Sequence, residues 1–196
     1  MEGTEKMIEF KNVSFSFDNK KVLDGFNMVI KDKEKVCLFG ESGIGKTTVT
    51  RLILGLEKNY SGEITISSDM SAVFQEDRLL PFRTVSENLQ MFSDSNKIDY
   101  ILKELGIYEC RDKYPSELSG GMSRRVAIAR ALAAQADTYI FDEPFASLDS
   151  YNTDRAIKLI NEITRDKTVI LVTHDKTDAE IMNCRIIELQ AKQTRA

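Results

Sequence analysis

A glycine-rich segment with the spacing G-x-x-x-x-G-K-[ST] holds the residues best suited to chemistry. Glycines allow a phosphate to approach backbone N–H groups, and some positions of such a loop need a positive φ. The lysine of this pattern reaches the β- and γ-phosphates of a nucleotide, and the threonine hydroxyl ligates Mg²⁺. The segment therefore predicts binding of a nucleoside triphosphate through Gly40, Glu41, Ser42, Gly43, Ile44, Gly45, Lys46, Thr47 and Thr48.

The elements on either side of this segment support the prediction. Residues 36–39 are an apolar run that predicts a buried strand, and residues 47–54 predict a helix that Gly55 ends. A strand, a loop and a helix in this order direct backbone N–H groups and a positive helix end at one anion. A glycine-rich turn without a ligand is disfavoured by this setting. Because Glu41 adds a negative charge to the loop, we expect its side chain to point away from the nucleotide.

Polar side chains at the ends of other predicted strands form a second group of candidates. An apolar strand ends in Asp142 and Glu143; the first carboxylate suits Mg²⁺ beside Thr47, and the second suits activation of a water molecule. His174 and Gln75 also follow predicted strands, at the edge where α/β sheets bind ligands. Taken alone, each is also compatible with an ordinary polar strand end.

A second candidate anion site lies at 118–122, before an alanine-rich helix. Ser119 is a good N-cap, and Gly120 and Gly121 leave the first amides of the helix uncovered. The alternative is a simple capped helix start. Two glycines in the first turn destabilise a helix by about 1 kcal/mol each, so we expect something to approach closely there.

Length and composition are those of an ordinary globular protein. The 196 residues are 42% apolar and 30% charged, and the net charge of −4 offers no basic surface for nucleic acid. No apolar run approaches the roughly 18 residues of a membrane span, and residues 1–6 lack the apolar core of a signal peptide. Cys37, Cys110 and Cys184 lack metal-ligand spacing, so we expect free thiols in a reducing cytosol.

Strand and helix patterns alternate at both ends of the chain and give way to helices in the middle. Residues 7–39 are strand-like with polar turns, and Ser61–Gly62 predicts a turn before short strands. A capping box at Thr84–Glu87 begins the helical stretch. This order predicts an α/β core with a parallel sheet and a helical insertion at 76–135. The short strands are predicted at 63–67 and 71–75, the helices at 98–105 and 119–134, and the later elements at 138–142, 150–164, 168–173, 177–183 and 185–189.

Taken in order, these segments resemble the ATP-binding subunits of ABC transporters over nearly the whole chain. Residues 40–48 match the Walker A loop of that family, and 139–143 match Walker B with its catalytic glutamate. Residues 118–122 match the LSGGQ signature with Met122 in the last place. The other matches are Phe17 for the aromatic ring that stacks on adenine, Gln75 for the Q-loop, 146–149 for the D-loop and His174 for the switch histidine.

The resemblance implies a fold. It is an α/β P-loop NTPase core with a mainly parallel sheet, an N-terminal antiparallel β-subdomain and an inserted α-helical subdomain. Residues 1–196 would form a single ABC ATPase domain, with 1–75 and 136–196 as the core with its β-subdomain and 76–135 as the helical subdomain. The stretch from Gly62 to Gln75 is shorter than is usual in the family, so we expect a trimmed β-subdomain.

The resemblance also implies Mg²⁺-dependent hydrolysis of ATP at a site shared by two chains. Glu143 and His174 would be catalytic, and Thr47, Gln75 and Asp142 would hold the metal. In a head-to-tail homodimer, or a pair of ATPase subunits, the signature of one chain would contact the ATP of the other, beside Asp149 of the D-loop. The signature residues are Leu118, Ser119, Gly120, Gly121 and Met122.

Partners and location follow from the same resemblance. The chain would lie on the cytoplasmic face of a membrane, bound to an integral-membrane permease, with no nucleic-acid partner. Residues 75–89 are similar to importers for nitrate, sulfonates and related small molecules. A non-transport ATPase switch acting on a soluble or nucleic-acid partner would use the same ATP chemistry, so the motifs leave it open. Because few residues follow His174, we expect no regulatory domain, and 191–196 is expected to be a frayed end.

Overall fold

The computed structural model describes residues 8–18 and 20–189, so the predictions for Met7, Asn19, 1–6 and 191–196 lie outside the described residues. Strands and helices alternate as the sequence predicts. The strands are β1 (Ile8–Phe17), β2 (Lys20–Ile30), β3 (Lys35–Phe39), β4 (Tyr60–Ile66), β5 (Met70–Val73), β6 (Thr138–Asp142), β7 (Thr168–Val172) and β8 (Arg185–Glu188). The helices are α1 (Lys46–Ile53), α2 (Val85–Gln90), α3 (Ser95–Glu104), α4 (Gly120–Ala133), α5 (Ser150–Ile163) and α6 (Lys176–Ile181), with 3₁₀ turns at Tyr108–Cys110 and Pro115–Glu117.

The larger sheet is parallel, which confirms the predicted fold class. Its strand order is β5-β6-β7-β3-β8, and each neighbouring pair runs in the same direction. All five residues of β6 and of β7 are buried, as expected for central strands covered on both faces. This order brings the carboxyl ends of the four strands that carry the candidate residues to one edge of the sheet.

The smaller sheet is antiparallel and has the order β2-β1-β4. It confirms the predicted N-terminal antiparallel unit. The predicted turn at Ser61–Gly62 is wrong, because both residues lie within β4. Gly62 has a φ of 91°, and a Cβ there would lie 2.4 Å from the Asn12 carbonyl oxygen. A glycine is therefore needed at this position because β4 passes very close to an irregular stretch of β1, and not because the chain changes direction.

Two buried clusters lie on opposite faces of the parallel sheet. Successive residues of β7 show this, since Val169 and Leu171 belong to one cluster and Ile170 and Val172 to the other. Helices α2 to α5 supply apolar side chains to the first cluster. Helix α1 and the antiparallel sheet supply the second. The parallel sheet is thus packed on both sides, which fixes the strand ends where the candidate residues lie.

Residues 74–137 contain helices, turns and 3₁₀ segments but no strand. The predicted capping box is confirmed, because the Thr84 hydroxyl accepts a bond from the Glu87 backbone N–H and the Glu87 carboxylate accepts one from the Thr84 N–H. Helix α3 begins three residues earlier than predicted because Asp94 caps it. We keep the division into a core at 1–75 and 136–196 and a helical subdomain at 76–135 as a proposal.

Candidate nucleotide-binding site

A cleft of about 550 Å³ opens beside the carboxyl ends of β3 and β6. Most of the residues predicted from the phosphate loop and the strand ends line it together. Four further residues of its lining, Asp18, Lys20, Val22 and Val172, have no distinguishing sequence pattern. The predicted residues that line it are Phe17, Ser42, Gly43, Gly45, Lys46, Thr47, Thr48, Gln75, Asp142 and Glu143.

The glycines of the loop have the backbone conformations that the motif predicts. Gly45 immediately precedes α1 with a φ of 112°, and a Cβ there would lie 3.0 Å from the Val22 side chain. Gly40 has a φ of 153°, and its Cβ would lie 2.8 Å from the Leu189 carbonyl oxygen. No side chain caps the N-terminus of α1. Its first amides are therefore available to an anion.

Lys46 is buried at the centre of the loop. Its ammonium donates hydrogen bonds to the carbonyl oxygens of Gly40, at 2.6 Å, and Glu41, at 2.9 Å. Glu41 itself is exposed, in agreement with the expected outward orientation of its side chain. The side chain of Ile44 packs against the second buried cluster. Glu41 and Ile44 can thus serve a phosphate through the backbone only.

Asp142 is 3% exposed, and its Oδ1 atom has no hydrogen-bond partner in the described part of the chain. Burial raises the pKa of the Asp142 carboxyl above its ordinary value, although the neighbouring Thr47 side chain acts in the opposite direction. A buried oxygen with an open coordination position, next to a hydroxyl, has the chemistry of a hard cation site.

Glu143 follows with an unusual backbone. Its φ is 50°, a left-handed conformation that non-glycine residues rarely adopt, and its backbone N–H donates to the Val172 carbonyl at 2.9 Å. The Glu143 carboxylate lies 3.0 Å from Nδ1 of His174. The imidazole is largely exposed and does not line the cleft. The structure thus pairs the two predicted catalytic residues and presents the glutamate to the cleft.

Phe17 and Gln75 lie at the edges of the same cleft. The Phe17 ring is 44% exposed and packs edge-on against Phe15, with ring centroids 4.7 Å apart. This contact leaves much of the ring free to stack. Gln75 lies beyond the end of β5, which stops at Val73 rather than at the predicted residue 75. Its position is therefore held by contacts other than the sheet ladder.

The signature residues lie elsewhere, because the lining of the cleft includes none of residues 118–122. Ser119 caps α4 by accepting a hydrogen bond from the Met122 N–H at 3.3 Å. A Cβ on Gly121 would lie 3.0 Å from the Ser147 carbonyl oxygen, whereas one on Gly120 would meet nothing within 4 Å. The expected close approach is therefore met at Gly121 by the chain's own D-loop, and Gly120 is open. Leu118 and Met122 pack against the first buried cluster.

Asp149 is exposed and caps α5. Its carboxylate accepts hydrogen bonds from the backbone N–H and the side-chain amide of Asn152, both at 2.8 Å. These bonds lower the pKa of the Asp149 carboxyl. In a single chain this residue therefore has a complete structural role at a helix start.

Sequence reasoning missed Arg124, a buried arginine in α4. Its guanidinium donates to the carbonyl oxygens of Gln75 and Glu143. A charged residue within an alanine-rich helix was the available signal. Apart from the Asp77 carboxylate, the acceptors are backbone atoms distant in sequence, which no residue pattern reveals.

The remaining chemical groups do not form a second site. Within 8–18 and 20–189, no group of three or more His, Cys, Asp and Glu residues is arranged to hold a metal ion. Cys37, Cys110 and Cys184 are free thiols, as predicted, and burial raises the pKa of Cys37 to about 11. None of the helices in this part of the chain is both long and apolar enough to cross a membrane.

Comparison with known proteins links this geometry to a family. The profile of the family described as ABC transporter matches residues 23–146. The chain is 37% identical over 194 residues to the Aliphatic sulfonates import ATP-binding protein SsuB 2 of Pseudomonas syringae pv. syringae, covering 96% of this chain and 71% of that protein. It is 36% identical over 177 residues to the corresponding SsuB protein of Corynebacterium glutamicum, covering 84% and 72%.

A solved structure, described as a bacterial Atm1-family ABC exporter with ATP bound, has the same fold. It superimposes with a TM-score of 0.88 at 22% identity, over 97% of this chain and 38% of that chain. At this identity the likeness bears on the fold alone. Together with the family profile and the curated relatives, it leads to one conclusion: the chain belongs to the ABC transporter family and is one of its ATP-binding ATPases.

Proposed function

We propose that this chain is the ATP-hydrolysing subunit of an importer, bound to an integral-membrane permease on the cytoplasmic face of a membrane. The observation that carries the proposal is that Lys46, Thr47, Asp142 and Glu143 line the same cleft. Import is supported by the names of the curated relatives. Those names give no support to a nucleotide switch, and the net charge of −4 disfavours a nucleic-acid partner.

The proposed cargo class is the aliphatic sulfonates. This follows from the names of the relatives, which describe import of aliphatic sulfonates. An ATPase subunit does not touch the cargo, so its own cleft carries no information about the sulfonate. The cargo is therefore tested on the assembled transporter and not on this chain.

The triphosphate of ATP would lie along residues 40–48. The uncapped first amides of α1 and the backbone of the loop supply N–H donors, and the Lys46 ammonium supplies the positive charge. Phe17, half-exposed at the edge of the cleft, offers its ring to the adenine base. The backbone therefore recognises the phosphates, and the aromatic ring holds the base.

The residues present fit Mg²⁺. Asp142 offers a buried Oδ1 atom with no hydrogen-bond partner among the described residues, and the Thr47 side chain lies in the same cleft lining beside this carboxylate. Asp142, Thr47 and Gln75 would hold the ion together with phosphate oxygens, which matches the preference of Mg²⁺ for few protein ligands. When bound, Mg²⁺ neutralises negative charge that develops on the transferring phosphoryl group.

Glu143 is the proposed general base. Its carboxylate lies in the cleft lining next to Asp142, where it can accept a proton from the attacking water. His174, at 3.0 Å, holds the carboxylate from the outer side. The left-handed backbone of Glu143 needs neighbouring groups to hold it, and the contact with His174 restrains the carboxylate itself.

The signature is proposed to complete the site of a second chain. Ser119 and Gly120 are exposed at the N-terminus of α4 and lie apart from the cleft of their own chain. A twofold head-to-tail homodimer, or a pair of ATPase subunits, brings this helix end to the partner's triphosphate and creates two equal sites. Asp149 would then lie at the interface.

Nucleotide binding tests the first part of this proposal. Lys46→Ala is expected to weaken equilibrium binding of a fluorescent ATP analogue on the order of 100-fold, because charge-assisted bonds to the phosphates are lost. Lys21→Ala is the control, since Lys21 pairs with Asp24 on the surface and does not line the cleft. An unchanged dissociation constant for Lys46→Ala would refute the phosphate-loop assignment.

Reconstitution tests the importer part. The chain and its permease are reconstituted in vesicles, and uptake of a radiolabelled alkanesulfonate such as ethanesulfonate is followed with ATP and with a non-hydrolysable analogue. Uptake that requires ATP and stops with Glu143→Gln supports the proposal. ATP hydrolysis without uptake of any alkanesulfonate would contradict the cargo class while leaving the ATPase assignment intact.

A further inference from the structure

Gln75 follows β5, and Asp142 and Glu143 lie at the end of β6. The hydrogen bonds that join these two strands stop before they reach these residues. Strands β5 and β6 pair in parallel from Met70 with Thr138 to Val73 with Phe141, where the ladder stops. Gln75 and Glu143 both lie beyond this last pair. Asp142 is still paired, but on its other side, with Val172 of β7. No ladder bond therefore fixes Gln75 relative to Asp142 and Glu143.

Arg124 fills the gap left by the ladder. It lies in the second turn of α4 and is 3% exposed. One edge of its guanidinium bonds to the chain after β5, and the other bonds to the chain after β6. Nη1 donates to the Phe74 carbonyl at 2.6 Å, the Gln75 carbonyl at 3.3 Å and the Asp77 carboxylate at 3.0 Å; Nη2 donates to the carbonyls of Asp142, at 3.0 Å, and Glu143; Nε donates to the Pro144 carbonyl at 3.1 Å.

Only an arginine meets this arrangement of acceptors. Its rigid, planar fork directs five N–H donors to two sides at once, whereas a lysine ammonium offers three donors around one point. The buried charge is compensated by the Asp77 carboxylate and by the surrounding carbonyl oxygens. Arg124 is thus a cross-link between two strand ends and not merely half of a salt bridge.

The cross-link acts on the part of the backbone that aims the base. Glu143 has a φ of 50°, so its conformation persists only where neighbouring groups hold it. Its N–H is held by the Val172 carbonyl, and its own carbonyl accepts a bond from Arg124. Both peptide groups of the residue are therefore held, and with them the backbone position from which its carboxylate extends into contact with His174.

We propose that Arg124 is a positioning residue for ATP hydrolysis, which holds Gln75 at a fixed distance from Asp142 and Glu143 so that metal ligands and base face the same phosphate. The inference rests on the proposed function of the cleft. It assigns Arg124 no contact with ATP or metal. Its loss is expected to slow the chemical step and leave ground-state nucleotide binding nearly unchanged.

The test compares Arg124→Lys and Arg124→Gln with the wild-type chain. We expect kcat to fall on the order of 10- to 100-fold, the usual effect of removing a group that orients metal ligands. KM, and the dissociation constant of a fluorescent ATP analogue without Mg²⁺, are expected to stay within about threefold. The gain in affinity for that analogue on adding Mg²⁺ is expected to shrink, because Gln75 and Asp142 no longer meet one ion in fixed geometry.

Arg155→Gln is the matched control. Arg155 also donates to two backbone carbonyls, but these belong to Lys103 and Glu104, which do not line the cleft. It is expected to lower the melting temperature without the fall in kcat or the loss of the Mg²⁺ effect. If Arg124→Gln does not yield folded protein, Arg124→Lys carries the test.

The outcomes separate the two levels of the argument. A wild-type chain that binds no ATP or does not hydrolyse it refutes the proposed function, and this inference falls with it. An active wild type together with an Arg124→Lys variant of unchanged kcat overturns the positioning role alone. Equal losses of kcat and affinity in the Arg124 and Arg155 variants, in step with melting temperature, also overturn it in favour of a purely structural role.

Discussion

The cleft and the signature end of α4 are built in opposite ways. In the cleft, side chains from several elements converge, and groups such as Lys46 and Asp142 are buried. At the signature, Ser119 and Gly120 are exposed, and the Ser119 hydroxyl caps its own helix. The cleft thus contains buried charged groups, which are unfavourable unless they are compensated. The signature is an exposed helix N-terminus. This difference is the structural basis of the proposal that the cleft is one half of a shared site and that the signature completes the site of a partner chain.

Two carboxylates show the same contrast in electrostatic terms. Burial raises the pKa of Asp142, whereas hydrogen bonds from Asn152 lower the pKa of Asp149. A raised pKa in the folded state means that the unfolding free energy falls as pH rises through the titration of Asp142. A lowered pKa means that the stabilisation from Asp149 is present above its unfolded pKa and is lost as pH falls through the folded pKa. Ionised Asp142 therefore lowers the stability of the chain alone, whereas ionised Asp149 raises it.

Removing the proposed base gives the largest expected effect and alters the cleft alone. Glu143→Gln is expected to slow ATP hydrolysis by about 10²- to 10⁴-fold, because an amide keeps the shape but cannot take the proton. ATP binding is expected to persist, so the variant should accumulate an ATP-bound dimer. Rapid-quench measurement of hydrolysis and sedimentation with ATP check the two results.

Glu162→Gln serves as the control for this change. Glu162 accepts a hydrogen bond from Tyr100 and does not line the cleft, so its loss is expected to leave turnover unchanged. Turnover of Glu143→Gln near that of the wild type would exclude Glu143 as the base. His174→Ala should lower turnover with little change in affinity, since the imidazole contacts the cleft through Glu143.

Two variants damage the phosphate loop and the signature separately, and mixing them tests whether the two regions act in different chains. Lys46→Ala leaves the signature intact, and Ser119→Arg leaves the phosphate loop intact. Each homodimer has two damaged sites, but a mixed dimer has one site with both defects and one with none. Equal amounts that exchange freely are expected to recover about a quarter of the wild-type number of intact sites. Nucleotide-dependent dimerisation and ATPase activity of the mixture measure the recovery.

A cooperative dimer changes the second readout but not the first. If hydrolysis requires two intact sites in one dimer, the mixture is expected to recover dimerisation but not ATPase activity. The specific activity of the wild-type chain should also rise with concentration, because assembly is bimolecular. No recovery of dimers, together with an active wild type that stays monomeric with ATP, would contradict the shared-site mechanism.

The sequence predicts the cleft better than it predicts what surrounds it. The phosphate loop, the buried parallel strands and the α2 capping box follow from local rules of glycine conformation, apolar runs and helix capping, and the structure has all three. The order β5-β6-β7-β3-β8 depends on tertiary packing and is not written in any local pattern. Ser61–Gly62 has the composition of a turn, yet Gly62 serves a strand crossing.

Arg124 and Gly121 show most clearly which contacts cannot be predicted from the sequence. Apart from the Asp77 carboxylate, the partners of Arg124 are carbonyl oxygens, which every residue has, so the sequence contains no sign of them. The glycine pair at 120–121 correctly predicts a close approach, but the group that approaches Gly121 is the Ser147 carbonyl of the same chain. Sequence reasoning finds residues with distinctive chemistry and misses contacts made by the backbone.

Neutralising Asp142 tests whether its buried charge lowers the stability of the nucleotide-free chain. Asp142→Asn removes a buried charge with an open oxygen, so the nucleotide-free chain is expected to gain about 1 kcal/mol of unfolding free energy. For a chain of this size, that gain raises Tm by about 2–4 °C. The gain is expected to disappear at low pH, where Asp142 of the wild type is also neutral. Calorimetric scans across pH measure both effects.

The variant should lose the stabilisation that Mg²⁺ and ATP give to the wild type, because its metal ligand is weaker. Asp149→Asn is the matched control from the other region. Asparagine also caps helices well, so this change is expected to give no gain in Tm at any pH. A chain that becomes less stable with Asp142→Asn at neutral pH would show that the buried charge is fully compensated.

The smallest expected effect concerns Phe17, an exposed residue of the cleft lining. Phe17→Ala is expected to weaken ATP binding by about 0.5–1.5 kcal/mol through loss of ring stacking, or about 2- to 12-fold. Stacking depends on the face of a base rather than its edge, so GTP should lose a similar amount. Calorimetric titration in a Glu143→Gln background measures both nucleotides without hydrolysis. Phe82→Ala is the control, because that ring is 89% exposed and does not line the cleft. A large loss of affinity for ATP but not for GTP would mean that another group recognises the edge of adenine. The cleft would then distinguish between the two bases, which ring stacking alone does not do.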